Sequence, residues 1–387
     1  MSDNVSQMPQ KPHNTLLRRM VLLIVVIAVV VAGVALYVFR DSLNLSAVRR
    51  WLHQMDAGSS TGDGTFTFDA HSSNRYCAFN GGLAVASVTG LSVYDASGEQ
   101  TTLVQQTLNT PVVAVGTNQL LAYDAGGYTL RTVHRTKGTR LDISSSKPIL
   151  DANISSGDWV CYATQETGYK SVLYVYNPNG TMTYRWLSAS QYLPVCAISS
   201  DGSFLAAVSL GQSDGIYESR MQIFKTDSEE IYRSFSLGSE LIYDLHFWSD
   251  DLLCAVGESS VMWLRMDGTL AGKYEYGGAD LQDFDFGGDG FLTLSLNMYR
   301  AGNRSTIVTV GPDGIVLGTV AVAEELMDLS AAGKYVSVLT ASKLTLYTDT
   351  LAQTSQKENT SSATAVVQKT DGSAIVLSDG KGEVYKP

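Results

Sequence analysis

The stretch ILDANISSGDWVCYATQETGYKSVLYVYNPNGTMTYRWLS, residues 149–188, contains the pattern that decides the fold. Four short runs within it alternate apolar and polar residues, namely ILDANIS, WVCYATQ, SVLYVYN and TMTYRWL. Such alternation is typical of β-strands that bury one face. Turn-forming residues separate the runs, among them Asn179-Gly180, a strong hairpin signal. This stretch therefore predicts four consecutive antiparallel strands.

One of these runs recurs along the whole chain. The recurring stretches are LSVYDASG, TLRTVHRTKG, LYVYNPNG, MQIFKTD, MWLRMDG, TIVTVGPDG, LTLYTDT and GEVYKP, with equivalent positions at Tyr94, Val133, Tyr176, Phe224, Leu264, Val310, Tyr347 and Tyr385. Four-stranded propeller blades repeat at about 40–45 residues, and the mean spacing here is about 42 residues. The sequence thus predicts an all-β fold, an eight-bladed β-propeller over residues 65–387. Seven blades with one irregular hairpin are the alternative, because the position at Val133 fits least well.

The final repeat is one strand too short. After AVVQKT, AIVLSD and GEVYKP the chain stops at Pro387, whereas TFTFDA, residues 65–70, precedes the first repeat and has no blade of its own. Pairing this N-terminal strand with the last repeat would remove an open sheet edge, which proteins generally avoid. We therefore predict that residues 65–70 close the ring.

A long apolar run lies near the N-terminus. Residues 20–39, MVLLIVVIAVVVAGVALYVF, carry no charge and would span roughly 30 Å as a helix, the thickness of a hydrocarbon core. The run is longer than the apolar region of a signal peptide, although Gly33-Val34-Ala35 resembles a cleavage site. We predict an uncleaved, single-pass transmembrane helix that contacts the lipid bilayer.

The orientation of this helix depends on the flanking charges. Three basic residues precede the span and three follow it: Lys11, Arg18 and Arg19, then Arg40, Arg49 and Arg50. Asp41 partly neutralises Arg40, and the preceding tail is short, so the positive-inside rule favours a cytoplasmic tail over residues 1–19. Residues 40–387 are then extracytoplasmic at the cell membrane. Within residues 40–64 we predict a juxtamembrane amphipathic helix, or a plain stalk, followed by a flexible linker.

Composition and charge exclude several functional classes. The 387 residues are 44% hydrophobic and 17% charged, which excludes a disordered chain. The net charge is −11, and because residues 1–40 carry +3, the remainder carries −14. Such an acidic domain is repelled by phosphate backbones, so we predict no nucleic-acid partner.

The sequence contains no recognisable catalytic, cofactor or metal motif. Cysteines occur singly and histidines are scattered, so neither has metal-ligand spacing. Two G-x-S-x-G matches, residues 58–62 and 211–215, lack the strand-turn-helix context of a nucleophile elbow. We therefore predict a non-catalytic recognition or scaffold module for a protein or small ligand. The alternative is a catalytic or cofactor-binding propeller whose site is dispersed along the sequence.

Two sets of residues are candidates for binding. Aligning the innermost strands as DANIS, DLHFW, DFDFG and DLSAA places Asp151, Asp244, Asp283 and Asp328 at one position, and Asn153, His246, Asp285 and Ser330 two residues further on. Because strand side chains alternate between faces, these residues would line the central channel. A solvated lining is one interpretation; a weak cation site or a docking hole for a basic peptide is the sharper one.

The second set is aromatic. Tyr174 and Tyr176 share one strand face, and Tyr184 and Trp186 share a face of the next strand. Packing between blades is the simpler interpretation of these four side chains. The alternative is an exposed stacking surface for a glycan or a peptide.

Three stretches carry a resemblance to a known family. LLAYDAGGYTLR (120–131), YKSVLYVYNPNGTMTYRWLSASQYLPVCAISSDGSFLAA (169–207) and NLSAVRRWL (44–52) resemble an uncharacterised family of single-span membrane proteins from Gram-positive bacteria. The resemblance implies a propeller-like domain at the cell surface, but no catalytic residue, ligand or known function. A looser similarity to quinoprotein-like and WD-repeat propellers concerns the fold alone.

Overall fold

The computed structural model describes residues 64–213, 215–298 and 304–387. In this part of the chain every regular element is a β-strand, and the strands form eight four-stranded antiparallel sheets. The eight-bladed propeller is thus confirmed, and the seven-bladed alternative is wrong. Each of the eight recurring positions, from Tyr94 to Tyr385, lies in the third strand of its blade.

Each of blades 1 to 4 consists of four strands that follow one another in the chain. Blades 1 and 2 comprise β2 (Arg75–Phe79), β3 (Gly82–Ser87), β4 (Gly90–Tyr94) and β5 (Gln100–Gln105), then β6 (Pro111–Val115), β7 (Gln119–Asp124), β8 (Thr129–His134) and β9 (Gly138–Ser144). Blades 3 and 4 comprise β10 (Asp151–Ile154), β11 (Val160–Glu166), β12 (Tyr169–Tyr176) and β13 (Met182–Ser188), then β14 (Tyr192–Ile198), β15 (Phe204–Ser213), β16 (Ile216–Lys225) and β17 (Ile231–Gly238).

Blades 5 to 7 repeat this arrangement, and blade 8 departs from it. Blades 5 and 6 comprise β18 (Ile242–Ser249), β19 (Leu252–Gly257), β20 (Ser260–Arg265) and β21 (Leu270–Glu275), then β22 (Asp280–Asp285), β23 (Leu292–Asn297), β24 (Ser305–Val310) and β25 (Val316–Val322). Blades 7 and 8 comprise β26 (Leu326–Ala332), β27 (Tyr335–Thr340), β28 (Lys343–Thr348) and β29 (Gln353–Glu358), then β30 (Ala363–Gln368), β31 (Ala374–Ser378), β32 (Lys381–Tyr385) and β1 (Thr65–Thr67).

Blade 8 receives its fourth strand from the start of the propeller. Strand β1 pairs antiparallel with β32, and Phe66 lies opposite Gly382. The strand is shorter than the run at residues 65–70, and just beyond its end the amide of Phe68 donates to the carbonyl of Gly380 at 2.9 Å. Sequence-distant residues thus meet in one sheet and join the two ends of the ring.

The hydrophobic core is distributed over the interfaces between blades. Eight clusters of buried apolar side chains occur among the described residues, and each joins two neighbouring blades, including blade 8 to blade 1. The second and third strands supply most of these side chains, and strands such as β3 and β7 are buried along their whole length. Burial on both faces accounts for the nearly continuous apolar character of these strands.

The strand order defines two faces of the ring. The first strands of neighbouring blades contact each other; β10 contacts β14, and β30 contacts β2. The first strands therefore surround the central channel. We call the face where the first strands begin the upper face; it also carries the turns between second and third strands. Because strands alternate in direction, Gly64 and Pro387 both lie at the opposite, lower face.

The N-terminal predictions fall largely outside the described residues. These are the cytoplasmic tail (1–19), the transmembrane helix (20–39) and the juxtamembrane segment, of which Gly64 alone is described. Among the described residues, no helix has the length and apolarity that crossing a membrane requires.

Candidate functional site

An aspartate occupies the same position in the first strand of four blades. The cross-strand pairs are Asp151 with Ala163, Asp244 with Val256, Asp283 with Ser295, and Asp328 with Leu339. These partners hold equivalent places in their second strands, so the four carboxylates occupy one level of the ring near its upper face. Blades 5, 6 and 7 are consecutive, which concentrates Asp244, Asp283 and Asp328 on one side of the channel.

A cavity of about 750 Å³ opens at the upper face beside these residues. Its wall includes the carboxylates of Asp283, Asp285 and Asp328, together with Asp379 from the turn between β31 and β32. The guanidinium group of Arg75, at the start of β2, belongs to the same wall. Four aspartates therefore share with one arginine the wall of a cavity whose volume is typical of small-ligand sites.

Several of these carboxylates hold neighbouring blades together. Backbone amides of the next blade donate to them, from Cys196 to Asp151 (2.8 Å), from Ala331 to Asp285 (2.7 Å) and from Val366 to Asp328 (2.7 Å). Such charge-assisted bonds are stronger than bonds between neutral groups. Asp151, Asp285 and Asp328 thus stabilise the ring.

Asp244 and Asp283 have a different environment. Each accepts a hydrogen bond from the amide of the next residue in its own strand, Leu245 at 2.7 Å and Phe284 at 2.9 Å. Neither carboxylate has a recorded hydrogen bond to the following blade among the described residues. Asp283 therefore differs from Asp285 and Asp328 in the cavity wall, because a ligand could engage its oxygens without breaking a bond between blades.

The channel environment changes the acidity of these groups. Loss of surrounding water raises the pKa of Asp244 to about 7, with a further contribution from the charge of Asp151. Burial likewise raises the pKa of Asp328 to about 7 and that of Asp283 to about 6, and neighbouring carboxylates add to both shifts. Burial also raises the pKa values of Asp151 and Asp285, although backbone hydrogen bonds oppose this effect. Carboxylates near one another in a narrow channel thus retain protons close to neutral pH.

Four polar residues lie one level deeper in the channel, and two of them, His246 and Asn153, are uncharged. His246 stacks on the ring of Phe286 in the next blade, with ring centroids 4.6 Å apart. Burial lowers the pKa of His246 to about 4, so the imidazole is neutral at physiological pH. Asn153 is half-buried and lies opposite Cys161. At its deeper level the channel therefore combines these two uncharged groups with Ser330 and the carboxylate of Asp285.

The described part of the chain contains no assembled set of metal-ligating side chains. There, no group of three or more His, Cys, Asp or Glu side chains is arranged to hold an ion. The cation interpretation of the channel acids stays a prediction.

The four candidate aromatic residues divide between the two faces of blade 3. Tyr184 is buried and Trp186 packs on Phe224 of blade 4, with ring centroids 4.7 Å apart. Tyr174 and Tyr176 are half-buried on the opposite face, where both stack nearly parallel to Tyr162. One pair thus belongs to the core between blades 3 and 4, and the other faces blade 2.

Tyr174 and Tyr176 line a second cavity of about 440 Å³ between blades 2 and 3. Tyr162 covers one face of the Tyr174 ring, and the guanidinium group of Arg185 lies over the same ring, 5.4 Å from its centroid. The Tyr174 hydroxyl donates to Glu166, which also pairs with Arg185 at 2.5 Å. Because these contacts occupy the Tyr174 ring, the groove has less free ring surface than a sugar-stacking site would use.

The structure adds two residues that the sequence alignment did not identify. Arg75 pairs with Ala86 and holds in blade 1 the position of the four aspartates. Tyr123 donates through its hydroxyl to Asp151 at 3.2 Å. Arg75 precedes Cys77 by two residues, as Asp151 precedes Asn153, so extending the alignment to RYCAF would have found it. No sequence signal connects Tyr123 to Asp151.

Comparison with known proteins gives a family and a fold. A model described as "Family of unknown function (DUF5711)" matches residues 59–385, so the chain belongs to this family. Among curated proteins, none matches. The solved C-terminal WD40 domain of Sif2 is similar in structure, with a TM-score of 0.57 and 11% sequence identity, and the match covers 85% of this chain and 100% of that domain. At this identity the similarity supports the propeller fold alone.

Proposed function

Starting from membership of this family of unknown function, we propose that the protein is a non-catalytic recognition module that binds a basic segment of a partner protein at its upper face. The observation that carries the proposal is the 750 Å³ cavity with Asp283, Asp285 and Asp328 in its wall. A lysine or arginine side chain entering this cavity would neutralise carboxylates that otherwise repel one another.

Exposed apolar side chains on the upper face support a protein partner. Tyr243 and Met327, beside two of the channel aspartates, are 47% and 41% exposed. Further exposed apolar side chains lie near turns of the same face: Tyr128, Tyr169, Ile216 and Met298. Exposed aromatic residues and methionines are enriched in protein interfaces.

The proposal predicts binding that depends on both pH and salt. A short oligoarginine peptide should bind more tightly as the pH rises from 6 to 8, because Asp283 and Asp328 lose protons in this range. Added salt should weaken binding by screening these charges. Calorimetric titration of the full chain in detergent would measure both trends.

A matched pair of variants separates the cavity from the general acidity of the protein. Asp283→Asn should weaken peptide binding at pH 8, whereas Asp227→Asn, at an exposed turn outside the cavity, should leave it unchanged. Equal affinities for both variants would contradict the cavity site. Stabilisation by millimolar calcium that Asp283→Asn removes would instead support a cation site.

A catalytic or cofactor-binding propeller is the second candidate. It is favoured by the raised pKa values of Asp283 and Asp328, since such values in a cleft are a common property of catalytic acids. The roles of Asp285 and Asp328 in joining blades weaken this interpretation. The pH dependence separates the two: a general acid loses activity as the pH rises through its pKa, whereas peptide binding becomes stronger.

We further propose that the module is anchored in the cell membrane with the propeller outside. The support is the uncharged run at residues 20–39, the short basic tail before it and the Gly/Ser-rich linker at residues 56–64. Proteases added to intact cells should then remove the propeller. A propeller that survives on intact cells and is degraded only after lysis would contradict this orientation.

A further inference from the structure

Two thiols meet across the interface between blades 3 and 4. Cys161 of β11 and Cys196 of β14 have their Sγ atoms 3.6 Å apart, and both side chains are essentially inaccessible to solvent. They lie in one apolar cluster with Leu173, Leu205 and Phe224. The two residues are 35 positions apart in the sequence and belong to different sheets.

We propose that Cys161 and Cys196 form a disulfide between blades when the propeller folds in the presence of a disulfide-bearing oxidant. A disulfide needs a sulfur–sulfur distance of about 2.05 Å, so the two sulfurs must approach by about 1.5 Å in total. The two sulfurs already contact each other across the interface, and rotation about the Cα–Cβ bonds together with a shift of one strand would have to supply this movement.

The reaction is an ordinary thiol–disulfide exchange. One cysteine thiolate attacks a sulfur of the oxidant, forms a mixed disulfide and expels one thiolate of the oxidant. The second cysteine thiolate then attacks the cysteine sulfur of the mixed disulfide and expels the remaining part of the oxidant as a thiolate. The two cysteines lose two electrons and their two thiol protons, and the oxidant disulfide gains the two electrons.

Burial determines when this exchange can occur. In the folded ring the pair is enclosed by apolar side chains, and the hydrogen bond with Cys161 together with burial raises the pKa of Cys196 well above its usual value. The thiolate that must attack is therefore scarce, and the oxidant has no access. We expect the bond to form during folding or transient opening of the interface, and slowly in the folded protein.

Cys254 is a natural control for this pair. It lies opposite His246 in blade 5, as Cys161 lies opposite Asn153 in blade 3, so it holds the same register position. It is equally buried, but the residues packed against it from blade 6 include Leu292 and Leu294. A difference in oxidation between Cys161 and Cys254 then reflects the sulfur that faces Cys161, because the two cysteines share their register position and their burial.

The test is refolding of the full chain in detergent. The reduced, denatured protein is diluted into buffer with oxidised and reduced glutathione, free thiols are alkylated under denaturing conditions, and peptides are mapped by mass spectrometry. We expect the Cys161 and Cys196 peptides to be linked, with a mass two hydrogen atoms below the sum of the two reduced peptides. Cys77 and Cys254 should be alkylated. Protein that stays folded throughout should gain the link much more slowly.

Stability measurements provide the second readout. The oxidised protein should unfold at a higher denaturant concentration than the reduced one, and dithiothreitol should abolish the difference. Cys196→Ala should remove this redox dependence, whereas Cys254→Ala should retain it. The proposal is overturned if Cys161 and Cys196 are alkylated as completely as Cys254 after oxidative refolding. This outcome does not depend on the proposed peptide site or membrane location, since the reaction uses the purified chain.

Discussion

Replacing Phe66 by alanine is expected to destabilise the propeller by about 3–5 kcal/mol, the usual cost of removing a buried phenylalanine side chain. Phe66 is the one fully buried residue of β1, and it packs edge-on against Tyr94 of blade 1 with ring centroids 6.2 Å apart. It lies over Gly382 of β32, where an added methyl group would approach the Phe66 ring at 3.2 Å. The side chain thus connects blade 8 to blade 1 at the point where the ring closes.

Denaturant unfolding of the full chain would measure this cost. Thr67→Ala is the matched control, because Thr67 belongs to the same strand and is exposed; it should change the free energy of unfolding by less than about 0.5 kcal/mol. Hydrogen exchange in the Phe66→Ala variant should increase first in β31 and β32, the strands next to the closure. A uniform increase in exchange over all blades would contradict a local role for β1 in closing the ring.

Stability should also increase as the pH is lowered from 8 to 6.5. Asp244 and Asp328 have pKa values of about 7 in the folded protein, against about 3.9 in an unfolded chain. The folded state therefore binds protons more tightly, and the stability associated with these groups is lost as the pH rises through 7. Two such groups contribute on the order of 1–2 kcal/mol over this interval, which corresponds to a shift of a few degrees in Tm.

His246 acts in the opposite direction at lower pH. Its pKa of about 4 in the folded protein lies below the unfolded value near 6.5, so its contribution to stability is lost as the pH falls from 6.5 towards 4. Above pH 6.5 the unfolded chain binds at most about half a proton at this position, so the opposing contribution of His246 is smaller than that of the two carboxylates. Asp244→Asn should reduce the rise in Tm between pH 8 and 6.5, and Asp227→Asn should retain it. An identical rise in both variants would contradict the raised pKa of Asp244.

The propeller was accessible to sequence analysis because its signals are local and repeated. Each blade contains about 40 residues, each strand alternates polar and apolar residues, and short turns join the strands, so one unit such as residues 149–188 predicts its neighbours. The positions of Asp151, Asp244, Asp283 and Asp328 were likewise predictable, since equivalent strands carry equivalent registers.

The contacts between blades were not accessible in this way. The sequence grouped Tyr174 and Trp186 in one candidate aromatic set, but Tyr174 lies on the side of the sheet that faces blade 2 and Trp186 on the side that faces blade 4. Hydrogen bonding shows the same limit, because only the structure distinguishes Asp328, which holds blade 8, from Asp283, which bonds within its own strand.

The sequence by itself determined the class of fold and the strand that carries each candidate residue, because these follow from periodicity along the chain. It favoured eight blades over seven, and the strand pairing of the structure decided between them. Only the tertiary structure decided that Arg75 shares a cavity with Asp283 and Asp328, and that the sulfurs of Cys161 and Cys196 meet. The physical reason is that neighbouring blades pack through side chains from sequence-distant strands. Which of these side chains meet depends on the curvature of the closed ring, and the residue pattern of a single strand does not specify that curvature.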